Sequence, residues 1–151
     1  MSLSISIITF NEAANIGRTL DSISDLADEI IVVDSHSADN TREIASAMGA
    51  KVFDEDWKGH IAQKNSALEK CTSEWVLSID ADEVVSPELR EEIRDAIRDG
   101  NFDGYYINRK THYLGQLLDH AWQPDWNLRL VRLGCSPKWA GLDPHDRLEI
   151  S

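Results

Sequence analysis

The chain has 151 residues, 42% hydrophobic and 28% charged, enough for one domain with a sizeable core. Its net charge of −12 argues against a nucleic-acid partner, because phosphate backbones are gripped by Lys/Arg surfaces. No apolar run approaches the roughly 20 residues of a membrane span, and two isolated cysteines give neither a CxxC nor a disulfide framework, so a reducing cytoplasm is expected.

"SISIIT" is β-branched and apolar and predicts a buried strand over about 4–9. "NEAANIGRTLDSISDLA" carries Ile16, Leu20, Ile23 and Ala27 at helical spacing. "DEIIVVD" predicts a second strand ending at Asp34, followed by the turn-rich "SHSADN". "TREIASAMG" reads as a short helix stopped by Gly49, and "AKVFD" as a third strand. "GHIAQKNSALEKC" is expected to be a helix with Ile61, Ala62 and Leu68 inward. "EWVLSIDAD" predicts a fourth strand running into Asp82. In "SPELREEIRDAIRDG", Ser86 suits the N-cap, Pro87 the first helical position and Gly100 the stop. Strand and helix thus alternate through the first hundred residues, which implies a mostly parallel sheet flanked by helices. Beyond Gly100, "FDGYYINRKTHYL" and "WNLRLVRLG" alternate apolar with polar and predict added mixed or antiparallel strands. "WAGLDPHDRLEI" reads as a polar loop after a Pro turn, and "RLEIS" as an end without helix or strand closure, which implies a domain truncated at its C-terminus.

Ligands of open parallel sheets bind beyond the carboxyl ends of the strands. Three such ends carry polar residues here: Thr9, Asn11 and Glu12; Asp34; Asp80 and Asp82. An extended D-x-D directs both carboxylates to one side, where they repel unless a cation sits between them. Mg²⁺ takes one or two carboxylates plus substrate phosphates, so the motif suits a metal–diphosphate; the alternative is a pair of acids capping a turn. Glu83 is assigned to that turn. Asp34 could accept hydrogen bonds from a ribose or base, or open an Asx-turn, and the residues favour neither. The absence of G-x-G-x-x-G after the first strand argues against an NAD enzyme. Lys64 could lean over the rim toward a phosphate or be an exposed helix lysine. His145 or Asp146 could act as a general base or belong to a polar loop. Trp122, Trp126 and Trp139 offer faces for sugar stacking or for core packing. Arg129 and Arg132 could meet an anionic acceptor or face solvent.

Taken together, "ISIITFNEAANIGRTLDSI", "DEIIVVDSHSADNT" and "HIAQKNSALEKCTSEWVLSIDADE" resemble the family 2 nucleotide-sugar glycosyltransferases, whose fold is the Rossmann-like GT-A fold. "HYLGQLLDHAWQPDWNLRLVRLG" and "WAGLDPHDRLEI" are similar to a branch that includes bacterial lipopolysaccharide-core β-glucosyltransferases. The resemblance implies an inverting hexosyltransferase using a nucleoside-diphosphate sugar, a UDP-sugar foremost, and Mg²⁺ or Mn²⁺. It implies a saccharide or glycolipid acceptor, at most peripheral membrane contact, and a place at the cytoplasmic face of a bacterial membrane. Thr9, Asn11, Glu12, Asp34 and Lys64 would then serve the nucleotide, Asp80 the ribose or metal, Asp82 the metal and Asp146 the acceptor proton. Trp126, Arg129 and His145 would lie on the acceptor side. Residues 1–100 would form the nucleotide-binding half and residues 101–151 the acceptor-side half of a single domain.

Two departures stand out. Where the family often has "DDGS" this chain has "DSHS", which replaces a second Asp by Ser35 and a Gly by His36. The branch tends to have Glu after its His, and here the residue is the shorter Asp146. A nucleotidyltransferase is the first rival, but it would want a basic, Gly-rich loop where "TFNEAAN" is acidic. A sugar-nucleotide-binding fragment without activity is the second.

Overall fold

The computed structural model describes residues 2–109, 112–113, 116–117, 125–143 and 145–151. In chain order the elements are β1 (Leu3–Thr9), α1 (Ile16–Asp21), β2 (Glu29–Asp34), α2 (Thr41–Ala47), β3 (Lys51–Asp54), α3 (His60–Glu69), β4 (Trp75–Ser78) and α4 (Pro87–Asp99). They are followed by β5 (Gly104–Arg109), β6 (His112–Tyr113), β7 (Gln116–Leu117), β8 (Asp125–Arg132), β9 (Lys138–Leu142) and β10 (His145–Glu149).

The main sheet has the order β3-β2-β1-β4-β8-β5. Its first four strands are parallel, and β8 and β5 join antiparallel, as the change of texture after Gly100 predicts. Both faces are covered, and the two-residue period of the strands divides the core. Leu3, Ile5, Ile7, Val32, Trp75 and Leu77 face one way, against Ile16, Leu20 and Ile23, Ala45 of α2, and Ile93 and Ile97 of α4. Ile31, Val33, Val76 and Val131 face the other way, against Ala67 and Leu68 of α3, Trp139 of β9 and Leu148 of β10. One face therefore carries three helices and the other carries α3 and a hairpin.

Helix α4 follows its sequence signals. Ser86 Oγ accepts from the Leu89 amide (3.1 Å), Pro87 opens the helix, and Gly100 ends it at φ +62°. Three expectations are corrected. First, α1 stops at Asp21, short of the predicted helix. Ser22 Oγ donates back to the Thr19 carbonyl (2.7 Å) and accepts from the Val85 amide (3.1 Å), so the backbone leaves the helix while Ile23 stays fully buried. Second, Gln63, not Ala62, joins Ala67 and Leu68 on the buried face of α3; Ala62 is exposed. The helix is covered on two sides, by the sheet and by the hairpin, so a one-sided apolar stripe is a poor guide to its orientation. Third, Lys138–Leu142 and His145–Glu149 are not a polar loop but the paired antiparallel strands of the β9–β10 hairpin. Gly141 permits it: it sits at φ +106°, and a Cβ there would lie 2.6 Å from the His145 carbonyl oxygen.

At the opposite, amino end of the sheet Glu29 ties several segments together. Its carboxylate accepts from Ser4 Oγ (2.6 Å), the Thr72 amide (2.9 Å) and Lys51 Nζ (3.0 Å). Burial alone would raise its pKa, but these donors outweigh burial and hold it down at about 2. A depressed carboxyl pKa contributes stability that is complete above the unfolded value, near 4.3, and lost as pH falls through about 2. Glu29→Gln is therefore expected to cost about 1–3 kcal/mol at neutral pH and to flatten stability between about pH 4.5 and pH 2, as measured by urea unfolding across that range.

Candidate active site

The carboxyl ends of β1 and β4 open into a cleft of about 660 Å³, within the range of small-molecule sites. It is lined by Thr9, Glu12, Lys64, Asp80, Asp82, Trp126, Arg129, His145 and Asp146, nine of the eleven residues to which the family resemblance gives a role, and by Trp139. Topology does this. β1 and β4 are neighbours, α3 crosses behind them, β8 pairs with β4, and the hairpin folds back over α3.

Asn11 and Asp34 do not line the cleft; they brace it. Asp34 is fully buried and pairs in register with Thr9. It accepts from Thr9 Oγ1 (2.7 Å), Ser37 Oγ (2.5 Å) and the Ser37 amide (2.8 Å), with Arg42 Nη1 at 3.4 Å. Those four partners occupy the usual acceptor capacity of a carboxylate, and the Ser37 contacts are those of an Asx-turn. Asn11, at φ +52°, accepts from the Ala38 amide (2.7 Å) and donates its own amide to Ser37 Oγ (2.8 Å). The Glu12 amide donates to Thr41 Oγ1 (2.9 Å). The loops after β1 and β2 are thus stapled to each other. His36 keeps a left-handed turn at φ +57° in this loop. Its ring lies between Asp56 (2.6 Å) and Asp54 (2.9 Å), whose hydrogen bonds raise its pKa, Asp56 most.

The D-x-D segment differs from its predicted form. β4 ends at Ser78, and Asp80–Asp82 lies in a turn, not in the strand. Glu83 closes that turn: its amide donates to the Asp80 carbonyl (3.1 Å) and its carboxylate accepts from the Asp80 amide (2.6 Å). Both acids still reach the cleft. Asp80 lies 3.9 Å from Lys64 Nζ and 4.0 Å from Arg129 Nη2. Asp82 is exposed and makes no hydrogen bond or ion pair among the described residues, so its oxygens face open space in the cleft. Among the described residues no group of three or more His, Cys, Asp or Glu makes a complete cation cage. An open carboxylate with one neighbour is instead the donor set of Mg²⁺ when phosphates complete the coordination, so these residues fit such an ion.

Asp146 comes from the hairpin, held to α3 by four hydrogen bonds. Asn65 Nδ2 donates to the Trp139 carbonyl (2.9 Å), and the Trp139 amide donates to Asn65 Oδ1 (2.8 Å). Asp143 accepts from the His60 and Ile61 amides (both 3.1 Å), capping α3 from 82 and 83 residues away. Lys64 Nζ lies 2.7 Å from Asp146 Oδ2 and 4.3 Å from the centre of the Trp139 ring. Trp139 is a core residue (4% exposed) and a platform for Lys64. Arg132 does not line the cleft but pairs with Glu74 and Asp103 at the other end of β8. Arg129 is held by Glu83 (3.0 Å) and the Ser78 carbonyl (3.1 Å). Trp122 lies outside the described residues. Sequence reading missed Phe10, Trp57 and Tyr106, which line the cleft with 50–64% of their surface exposed. Apolar rings left in water at a cleft were the available signal, and only the fold reveals it.

The model of glycosyl transferase family 2 matches residues 4–139. The chain belongs to that family. An uncharacterized glycosyltransferase of Rickettsia felis is 47% identical over 103 residues, 68% of this chain and 36% of the relative. The lipopolysaccharide core biosynthesis glycosyltransferase LpsC of Rhizobium meliloti is 32% identical over 143 residues, 87% of this chain and 51% of LpsC. The chain therefore spans about half, or less, of the length of these relatives. S. aureus TarS 1-349 shares the fold at a TM-score of 0.70 and 22% identity, over 89% of this chain and 48% of that one. Glucosyl-3-phosphoglycerate synthase from Mycobacterium tuberculosis, solved with Mg²⁺ and UDP, has a TM-score of 0.50 and 32% identity, over 55% of this chain and 34% of its own. The fold is the Rossmann-like GT-A fold that the sequence motifs imply.

Asn65→Ala strips partners from two Trp139 backbone groups, and Asp143→Ala uncaps α3. Each is expected to lower stability by about 1–3 kcal/mol in denaturant unfolding, with protection of the β9 and β10 amides from hydrogen exchange lost before that of β1.

Proposed function

We propose that the chain is the catalytic region of an inverting glycosyltransferase that moves a hexosyl group from a nucleoside-diphosphate sugar to an acceptor hydroxyl. The observation that carries this reading is the convergence of Asp80, Asp82, Lys64, Thr9 and Glu12 with Asp146 on one cleft of a family 2 fold. UDP is the first expectation for the nucleotide, supported by the UDP-bound relative. Thr9 and Glu12 would meet the nucleoside, with Asn11 and Asp34 holding their loops in place.

Asp82, with Asp80 beside it, would hold Mg²⁺ or Mn²⁺. When bound, the ion supplies Lewis-acid stabilisation of the charge that develops on the departing diphosphate. Lys64 adds a positive charge at the same rim. Asp146 would take the proton of the acceptor hydroxyl as its oxygen attacks the anomeric carbon, which passes through oxocarbenium-like character. The anomeric carbon–phosphate oxygen bond breaks, and the diphosphate leaves with the electron pair. Trp126, Arg129 and His145 would face the acceptor. The relationship to LpsC makes a lipopolysaccharide-core saccharide the acceptor class to try first, with the enzyme at the cytoplasmic face of the membrane and in peripheral contact at most. Among the described residues no helix is long and apolar enough to cross a membrane. Residues 1–100 would be the nucleotide-binding half and residues 101–151 the acceptor side. The family match and the acidic Glu12 in the loop after β1 both weigh against a nucleotidyltransferase.

The test is a panel of sugar nucleotides with Mn²⁺, followed by hydrolysis and transfer. Asp82→Asn should abolish metal-dependent donor binding by calorimetry while leaving the circular dichroism spectrum unchanged; undiminished Mn²⁺-dependent binding would remove the metal assignment. Asp146→Asn should bind donor at least as tightly as wild type and lower transfer about 10²-fold or more. Wild-type transfer rates in that variant would rule Asp146 out as the base.

A further inference from the structure

We propose that Lys64 is a donor-operated latch on Asp146: its ammonium neutralises the base while the donor site is empty, and the donor's diphosphate draws it away. The proposal rests on the donor-site reading above. Lys64 Nζ is 2.7 Å from Asp146 Oδ2, and the two side chains are only 14% and 13% exposed. An ammonium this close occupies the carboxylate oxygen that would have to receive the acceptor's proton. The same ammonium is 3.9 Å from Asp80 Oδ1, so it already stands at the rim where a diphosphate is expected. A lysine can serve both places, because its point charge rides on a flexible four-carbon stem. The Trp139 ring below it, 4.3 Å from Nζ, gives the charge a fixed platform, and Trp139 is locked through Asn65. Arg129 is unsuited to the exchange, being anchored on Glu83 and the Ser78 carbonyl.

A diphosphate offers the ammonium several phosphoryl oxygens at the rim where Asp80 already stands 3.9 Å away, against the one Asp146 oxygen it meets now. Donor binding therefore competes with Asp146 for Lys64 and weakens the ion pair by the factor by which the pair weakens donor binding. Asp146 is released only when a donor is present. The acceptor proton then passes to Asp146 as its oxygen bonds the anomeric carbon and the nucleoside diphosphate departs. The consequence is an ordered site, with donor before proton transfer.

The reciprocal coupling supplies a test that needs no turnover. Calorimetry with UDP, and with GDP as a second probe, in the presence of Mg²⁺ should show Asp146→Asn binding nucleoside diphosphate about fivefold or more tighter than wild type, since the competing carboxylate is gone. In a Lys64→Met background the Asp146→Asn gain should vanish, which separates release of Lys64 from a general loss of negative charge. Unchanged or weaker binding by Asp146→Asn, or a gain that persists without Lys64, would overturn the latch and leave the donor reading standing. No binding of either probe by wild type and Asp146→Asn alike would sink the donor reading, and the latch with it.

Discussion

The seating of the last hairpin on α3 governs the cleft. Among the described residues β9 and β10 do not extend the main sheet but pair with each other, and a lone two-stranded ribbon has little stability of its own. What holds them is Trp139 and Leu148 buried in the α3-side core, Asn65 bonded to both polar groups of the Trp139 backbone, and Asp143 on the first amides of the helix. Because Lys64 and Asn65 are consecutive, the residue that grips the hairpin adjoins the residue that meets its carboxylate. The distance between Asp146 and the D-x-D rim is therefore set by one helix turn and one hairpin.

Carboxylates dominate the cleft. Glu12, Asp80, Asp82 and Asp146 line it, against a background charge of −12. Such crowding is tolerable because the cations are distributed with care. Arg129 answers Glu83 and stands near Asp80, Lys64 answers Asp146 and stands near Asp80, and Asp82 is left open. An open acid at the mouth of a strand end costs little while hydrated and becomes useful when a cation arrives with phosphate. The braced loops beside it serve the same purpose. Asp34 holds Thr9 and Ser37 at once, so the end of β1 and the loop after β2 move as a unit.

Much of this was legible in the residues. The parallel core, the capping of α4 and the two antiparallel strands follow from period, caps and turn residues, since those signals are local. The rim itself was legible because polar residues cluster after three apolar strands. The early stop of α1 was not, because it depends on Ser22 meeting Val85 across 63 residues. The inner face of α3 is not written in its own residues, because the hairpin that covers it lies 74 residues downstream of Asn65 and takes Lys64 and Asn65 as its partners. The hairpin has no local signature either, because its stability comes from Trp139 and Leu148 finding a distant core, and "LDPHD" carries turn chemistry alone.

By itself the sequence determined the class of sheet, the family motifs, and the set of acids at the strand ends, because alternation of apolar runs and caps is written in neighbouring residues. Tertiary structure decided what each acid does. It buried Asp34 among four partners and made it a brace, left Asp82 open, and brought Asp146 within 2.7 Å of Lys64. Lone-pair occupancy and ion pairing depend on which distant residues arrive at the same place, and only the packed sheet, helix and hairpin bring them there.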